Sequence, residues 1–251
     1  MVGINMLKNK VALITGGGQG VGQGIAKSLA KQGAHIVVTG RRLEKCDKTV
    51  ELLKPFNVNT LSVRCDVKST KDLENCIDLT IKKFGRLDIL VNNAQEVARG
   101  PLLNISDAQI NDNWNSGPLA TFRLMKMAYP YLVESKGNII NLCSSVMKRW
   151  DVGTYGVYAA VKAATQQLTR AAATEWGKDG IRVNAIMPHA KSPALAGWMD
   201  ANPVEAKHFQ NSIPLGYVGD CEQDIGEFVA MMCSDGARYL SGQTIALDGG
   251  Q

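Results

Sequence analysis

"VALITGGGQGVGQGIAKSLAKQG", residues 11–33, reads as three consecutive pieces. The apolar, β-branched run 11–15 predicts a strand, and the helix-spaced apolar residues from Gly22 to Gly33 predict a helix ending at a glycine. Between them lies "TGGGQGVG", residues 15–22. Glycines between a strand and a helix let a pyrophosphate approach backbone N–H groups at the helix N-terminus. The spacing is Gly16-x-x-x-Gly20-x-Gly22, with Gly18, Gln19 and Val21 inside it, and it differs from the GxGxxG dinucleotide fingerprint. Glycine-rich turns after strands also arise for structural reasons alone. Placement directly after a first strand favours nucleotide binding.

The same alternation continues along the chain. Strands are predicted at 35–39, 59–65, 87–92, 137–143, 181–187 and 243–247, with helix-period segments such as 70–85 and 158–180 between them. The strands are nearly continuous apolar runs, as expected when both faces of a parallel sheet are covered by helices. The reading is a doubly wound α/β fold. With 251 residues, 45% hydrophobic content and no compositional break, the whole of 1–251 reads as a single domain. The proline-bearing stretch about 188–216 is patterned poorly and predicts an irregular substrate loop.

Composition narrows the function classes. No apolar run reaches the ~18 residues of a membrane span, and the first residues lack signal-peptide architecture. Six cysteines without a CxxC pair fit reduced thiols in a cytoplasmic protein. The three histidines have no ligand spacing, so no metal is expected. Net charge is +5, and residues 1–100 carry 16 Lys/Arg against 9 Asp/Glu. Basic runs interleaved with aromatics are lacking, so no nucleic-acid partner is expected. A phosphate-rich small molecule explains the basic half, as does an ordinary basic surface.

The second predicted strand ends in "TGRR", giving Gly40, Arg41 and Arg42 where an NAD site would place a carboxylate for the ribose 2′-hydroxyl. Arginines there suit a 2′-phosphate, and the cofactor expected is NADP(H). Two solvated arginines opening a helix are the plainer alternative. Farther on, "YGVYAAVK" (155–162) places Tyr158 and Lys162 one helical turn apart. An ammonium beside a phenol lowers the phenol's pKa from about 10, which makes a proton donor and acceptor for neutral pH.

These motifs, together with "CDV" (65–67), "NNA" (92–94), Ser145, "IRVNAIMP" (181–188) and "LDGG" (247–250), closely resemble the short-chain dehydrogenase/reductase family over residues 7–251. The resemblance implies a seven-stranded parallel Rossmann sheet, a homotetramer or homodimer, and hydride transfer between NADP(H) and a ketone or secondary alcohol. It implies that Asp66 and Val67 line the adenine pocket, that Asn93 and Ala94 follow the ribose, and that Gln95, Pro188 and Lys191 border the cofactor. Tyr158 would be the general acid or base, Lys162 would lower its pKa and bind the ribose, and Ser145, thirteen residues before Tyr158, would polarise the carbonyl. Ser144 is the less favoured serine. Tyr155, His189 and Trp198 are expected near the substrate, within walls formed by 95–99, 147–155 and 189–214. For His189, a solvated loop histidine is the plainer alternative.

Four positions depart from the family pattern. Gly117 falls where an asparagine usually anchors a proton-relay water, which predicts open space for water ordered by Asn115 or Ser116. Gln95 replaces a glycine beside the nicotinamide, His189 replaces a glycine after the sixth strand, and Pro193 replaces a threonine, with Ser192 the nearest hydroxyl. The alternatives to a general carbonyl reductase are a 3-oxoacyl carrier-protein reductase and a cofactor-binding pseudoenzyme with a regulatory role.

Overall fold

The computed structural model describes residues 5–149 and 153–251. Among them, seven strands form one parallel sheet in the order β3-β2-β1-β4-β5-β6-β7. They are β1 (Val11–Thr15), β2 (His35–Gly40), β3 (Thr60–Arg64), β4 (Ile89–Asn92), β5 (Asn138–Leu142), β6 (Arg182–Pro188) and β7 (Thr244–Leu247). All of β1, β4 and β5 is buried, which explains their unbroken apolar reading. Each predicted strand is present, with no end moved by more than two residues.

Two apolar layers hold the helices to the sheet. On one face α1 (Gly20–Lys31) and α9 (Glu227–Cys233) bury Ile25, Leu29, Val229 and Met232 against Ile14, Ile36 and Val91. On the other, α3 (Thr70–Phe84), α5 (Ala120–Ser135) and α6 (Gly156–Trp176) pack around Leu13, Leu90, Leu124 and Ile139. Burying each such side chain stabilises by about 1.5–3 kcal/mol. Local signals set the ends: the Ser69 hydroxyl accepts the Asp72 N–H at 3.2 Å to start α3, and Gly85 stops it in the left-handed region at φ +71°. Contact between α1 and the π-helical turn Cys221–Gly226 is backbone to backbone, because a Cβ on Gly24 would lie 2.1 Å from the Cys221 carbonyl oxygen.

The expected irregular loop at 188–216 is corrected. It contains two helices, α7 (Pro193–Ala201) and α8 (Pro203–Asn211), after α2 (Leu43–Leu53) and α4 (Asp107–Trp114) earlier in the chain. Its prolines open helices: Pro193 and Pro203 occupy first-turn positions, where the missing N–H costs no hydrogen bond. The Ser192 hydroxyl caps α7 by accepting the Leu195 N–H at 3.3 Å. Met199, Ala206, Ile213 and Val218 give this helical flap a small core of its own.

Candidate active site

Strand order reverses between β1 and β4, and a cleft of about 860 Å³ opens at their C-terminal ends. Ligands of open α/β sheets bind in such a crevice. The glycine turn forms its floor. Gly16 and Gly20 take φ +64° and +57°, and a Cβ on Gly16 would lie 2.8 Å from the Asn93 side chain. Gly18, Gln19, Gly20 and Val21 line the cleft at the start of α1, so this helix N-terminus faces the open space. Gly22 does not line it. A Cβ there would lie 2.5 Å from Asn93 Nδ2 and 2.7 Å from the Gly16 carbonyl oxygen, so this glycine permits the turn to close.

Asn93 and Ala94 line the cleft, and the Asn93 carboxamide also braces its floor. Its Nδ2 donates to the carbonyls of Thr15 (2.8 Å) and Gly16 (3.1 Å), pinning the glycine turn to the end of β4. The Thr15 hydroxyl accepts the N–H groups of Asn93 and Ala94, both at 3.0 Å. At the other end of the cleft stand Arg41 and Arg42 after β2, with Asp66 and Val67 after β3. Lys45, unremarked in the sequence, also lines this end and donates to Gln19 Oε1. Pro188 borders the cleft, whereas Lys191 is exposed and stands outside its lining; Ser192 and Pro193 take the flap side instead.

The chemical end is built by β5 and α6. Lys162 is 4% exposed, and its Nζ donates to the Leu142 carbonyl at 2.5 Å. Tyr158 and Lys162 line the cleft together, with the ammonium 5.5 Å from the phenol ring centroid. Burial lowers the Lys162 pKa to about 8 and raises that of Tyr158 to about 12. The Ser144 hydroxyl and the Arg99 charge offset the second shift only in part. Burial of the phenol thus acts against the lowering expected from Lys162, and no hydrogen bond joins the ammonium to the phenol among the described residues.

Of the two serines it is Ser144 whose hydroxyl acts to lower the Tyr158 pKa; it also lines the cleft and caps the short 3₁₀ turn Ser145–Met147. Ser145 opens that turn without lining the cleft itself. Tyr155 lies tilted against Tyr158 at 6.1 Å between ring centroids, and the Arg99 guanidinium lies 4.9 Å above its ring. His189 and Trp198 both pack on Phe209, at 5.2 and 5.9 Å between centroids, and serve as supports of the flap. Among the described residues the buried His189 Nδ1 has no hydrogen-bond partner, and burial lowers its pKa. Residues 150–152 of the expected substrate wall lie outside the described residues.

Gly117 sits in a π-helical turn, Asn115–Leu119, between α4 and α5. The open water space expected beside it is corrected, because the Gln95 side chain fills it. A Cβ on Gly117 would lie 2.5 Å from Gln95 Nε2 and 2.8 Å from Oε1. Gln95 Nε2 donates to the Asn113 carbonyl at 3.3 Å, and the Ser116 hydroxyl accepts the Glu96 N–H at 3.1 Å. Two departures from the family pattern are thus one matched pair.

A parallel sheet with a glycine turn at its switch point and a Tyr–Lys pair facing the same cleft defines a nicotinamide-dependent oxidoreductase scaffold. The chain belongs to the short-chain dehydrogenase/reductase family: residues 16–251 match a family model described as enoyl-(acyl carrier protein) reductase. It is 38% identical to a 12alpha-hydroxysteroid dehydrogenase from a Clostridium species, the alignment covering 98% of each chain. It is 31% identical to an A-factor type gamma-butyrolactone 1'-reductase of Streptomyces virginiae, over 98% of this chain and 96% of that one. A variant of actinorhodin polyketide ketoreductase solved with NADPH superposes with a TM-score of 0.90 at 27% identity, covering 96% of each chain.

Proposed function

We infer that the chain is an NADP(H)-dependent carbonyl reductase or alcohol dehydrogenase, with Tyr158 as the acid or base. The observation that carries this reading is Tyr158 and Lys162 in one cleft with the glycine cradle and the Arg41–Arg42 end. The residues suit the cofactor: the cradle has no room for a Cβ at Gly16, and the phosphate end is cationic. When bound, the nicotinamide supplies or accepts the hydride. Everything else falls to the chain's own groups.

Reduction of a ketone develops negative charge on its oxygen, which needs donors already aimed at it and a proton to finish. With a pKa raised to about 12, Tyr158 holds its proton at neutral pH, as a donor must. Lys162, with a pKa lowered to about 8, is still mostly cationic at pH 7 and stabilises the phenolate left behind. Ser145 remains the proposed donor to the carbonyl on its family spacing, while Ser144 acts on the Tyr158 pKa. These protonation states suit proton donation during reduction near neutral pH.

The relatives named for hydroxysteroid and ketone chemistry support a secondary alcohol or ketone as substrate. Reduction of acyl-carrier-protein thioesters is the second reading, favoured by the description of the family model. NADPH consumption measured across steroid ketones, small diketones and 3-oxoacyl thioesters separates the two. Turnover of none of them, with NADPH bound, would support the regulatory pseudoenzyme instead. A cytoplasmic homotetramer or homodimer completes the proposal. Six free cysteines, five of them buried, suit a reducing compartment, and light scattering tests the assembly.

A further inference from the structure

The adenosine end of the cleft contains an anion of the chain's own. Glu96 follows β4, and its Oε1 lies 2.5 Å from Arg41 Nη1 at the end of β2. Because β1 lies between β2 and β4 in the sheet, this ion pair bridges the glycine turn at the mouth of the cleft. A second cation holds the same oxygen: Lys68 Nζ is 3.2 Å from Glu96 Oε1 and 2.9 Å from Asp112 Oδ1. The Glu96 backbone is fixed as well, by its N–H bond to the Ser116 hydroxyl. Arg42, next to Arg41, makes no ion pair among the described residues and lines the same cleft.

We propose that Glu96 is a specificity-determining residue that occupies Arg41 until a 2′-phosphate displaces it, and so narrows the preference for a 2′-phosphorylated nucleotide over one with a free 2′-hydroxyl. This rests on the NADP(H) reading above. A doubly charged phosphate outcompetes one carboxylate for a guanidinium, and the displaced Glu96 keeps Lys68 as its partner. An uncharged 2′-hydroxyl cannot displace it. Glu96 therefore lowers affinity for every cofactor that needs Arg41, and leaves ligands that do not need it almost untouched.

Isothermal titration of the full chain with NADP⁺, NAD⁺ and 2′-AMP tests this, using the parent, Glu96→Gln, Arg41→Met and the double variant. The parent must first bind NADP⁺ more tightly than NAD⁺; equal or reversed affinities overturn the cofactor reading and this proposal with it. Given that preference, Glu96→Gln should tighten NADP⁺ and 2′-AMP by about two- to fivefold, the scale of a half-exposed ion pair, and leave NAD⁺ within twofold. In the Arg41→Met background the gain should vanish. Unchanged or weaker NADP⁺ binding by Glu96→Gln overturns the role of Glu96 while the cofactor reading stands. A gain that persists without Arg41 also overturns it, since that would be a general charge effect.

Discussion

Gly117→Asn is the substitution that restores the family's usual residue, and the structure makes it unfavourable. Gly117 is not in the left-handed region, so backbone strain plays no part. The cost is contact: a new Cβ would meet the Gln95 carboxamide at 2.5–2.9 Å. Gln95 must swing away and lose its bond to the Asn113 carbonyl. Because only the flexible end of Gln95 is in the way, the lost hydrogen bond is the main cost, about 0.5–1.5 kcal/mol. For a chain of this length the loss is a fall of a few degrees in Tm. Gln95→Ala empties the notch, so in that background Gly117→Asn should be tolerated. Thermal melting and NADPH titration of the parent, both single variants and the double variant measure the coupling. It should be favourable in the double variant, by about 0.5–1.5 kcal/mol. Additive single effects, within about 0.3 kcal/mol, refute the matched-pair account.

The kcat/KM for reduction should be level near neutral pH and fall as pH rises through about 8, because Lys162 loses its charge there; a pH profile of kcat/KM flat to pH 10 contradicts this. Gly24→Ala improves helix propensity by about 1 kcal/mol but drives a methyl into the Cys221 carbonyl at 2.1 Å. Its Tm should therefore fall, and a rise would show that α1 and the 221–226 turn separate easily. Ser145→Ala should lower kcat by at least about tenfold, with Ser144→Ala shifting the pH profile through its effect on Tyr158. The reverse pattern would exchange the two roles.

Much of this architecture was legible from residues that act locally. Runs such as Val11–Thr15 and Asn138–Leu142 announce strands because both of their faces are covered, and Gly85 announces a helix end because of its left-handed geometry. That the sheet is parallel and seven-stranded follows from the family resemblance, whereas its strand order comes from the structure. What sequence reading missed lies in contacts between distant residues. Nothing at position 95 shows that its side chain fills the space beside residue 117, and nothing at Arg41 shows a carboxylate from Glu96 waiting across β1. The flap was misread for a different reason. Pro193 and Pro203 look like breakers until Ser192 and Asn202 are recognised as the residues preceding a first turn. Likewise, spacing singles out Ser145, but the trajectory of the 3₁₀ turn decides which hydroxyl acts on Tyr158.

The central claim is that Tyr158 delivers the proton, and Tyr158→Phe tests it most directly. The substitution removes one oxygen from a half-buried ring and leaves the glycine cradle and the arginine end intact. With a ketone that the parent reduces, kcat should fall by at least about 100-fold while the NADPH dissociation constant stays within about threefold. Turnover within threefold of the parent would show that the proton comes from another group.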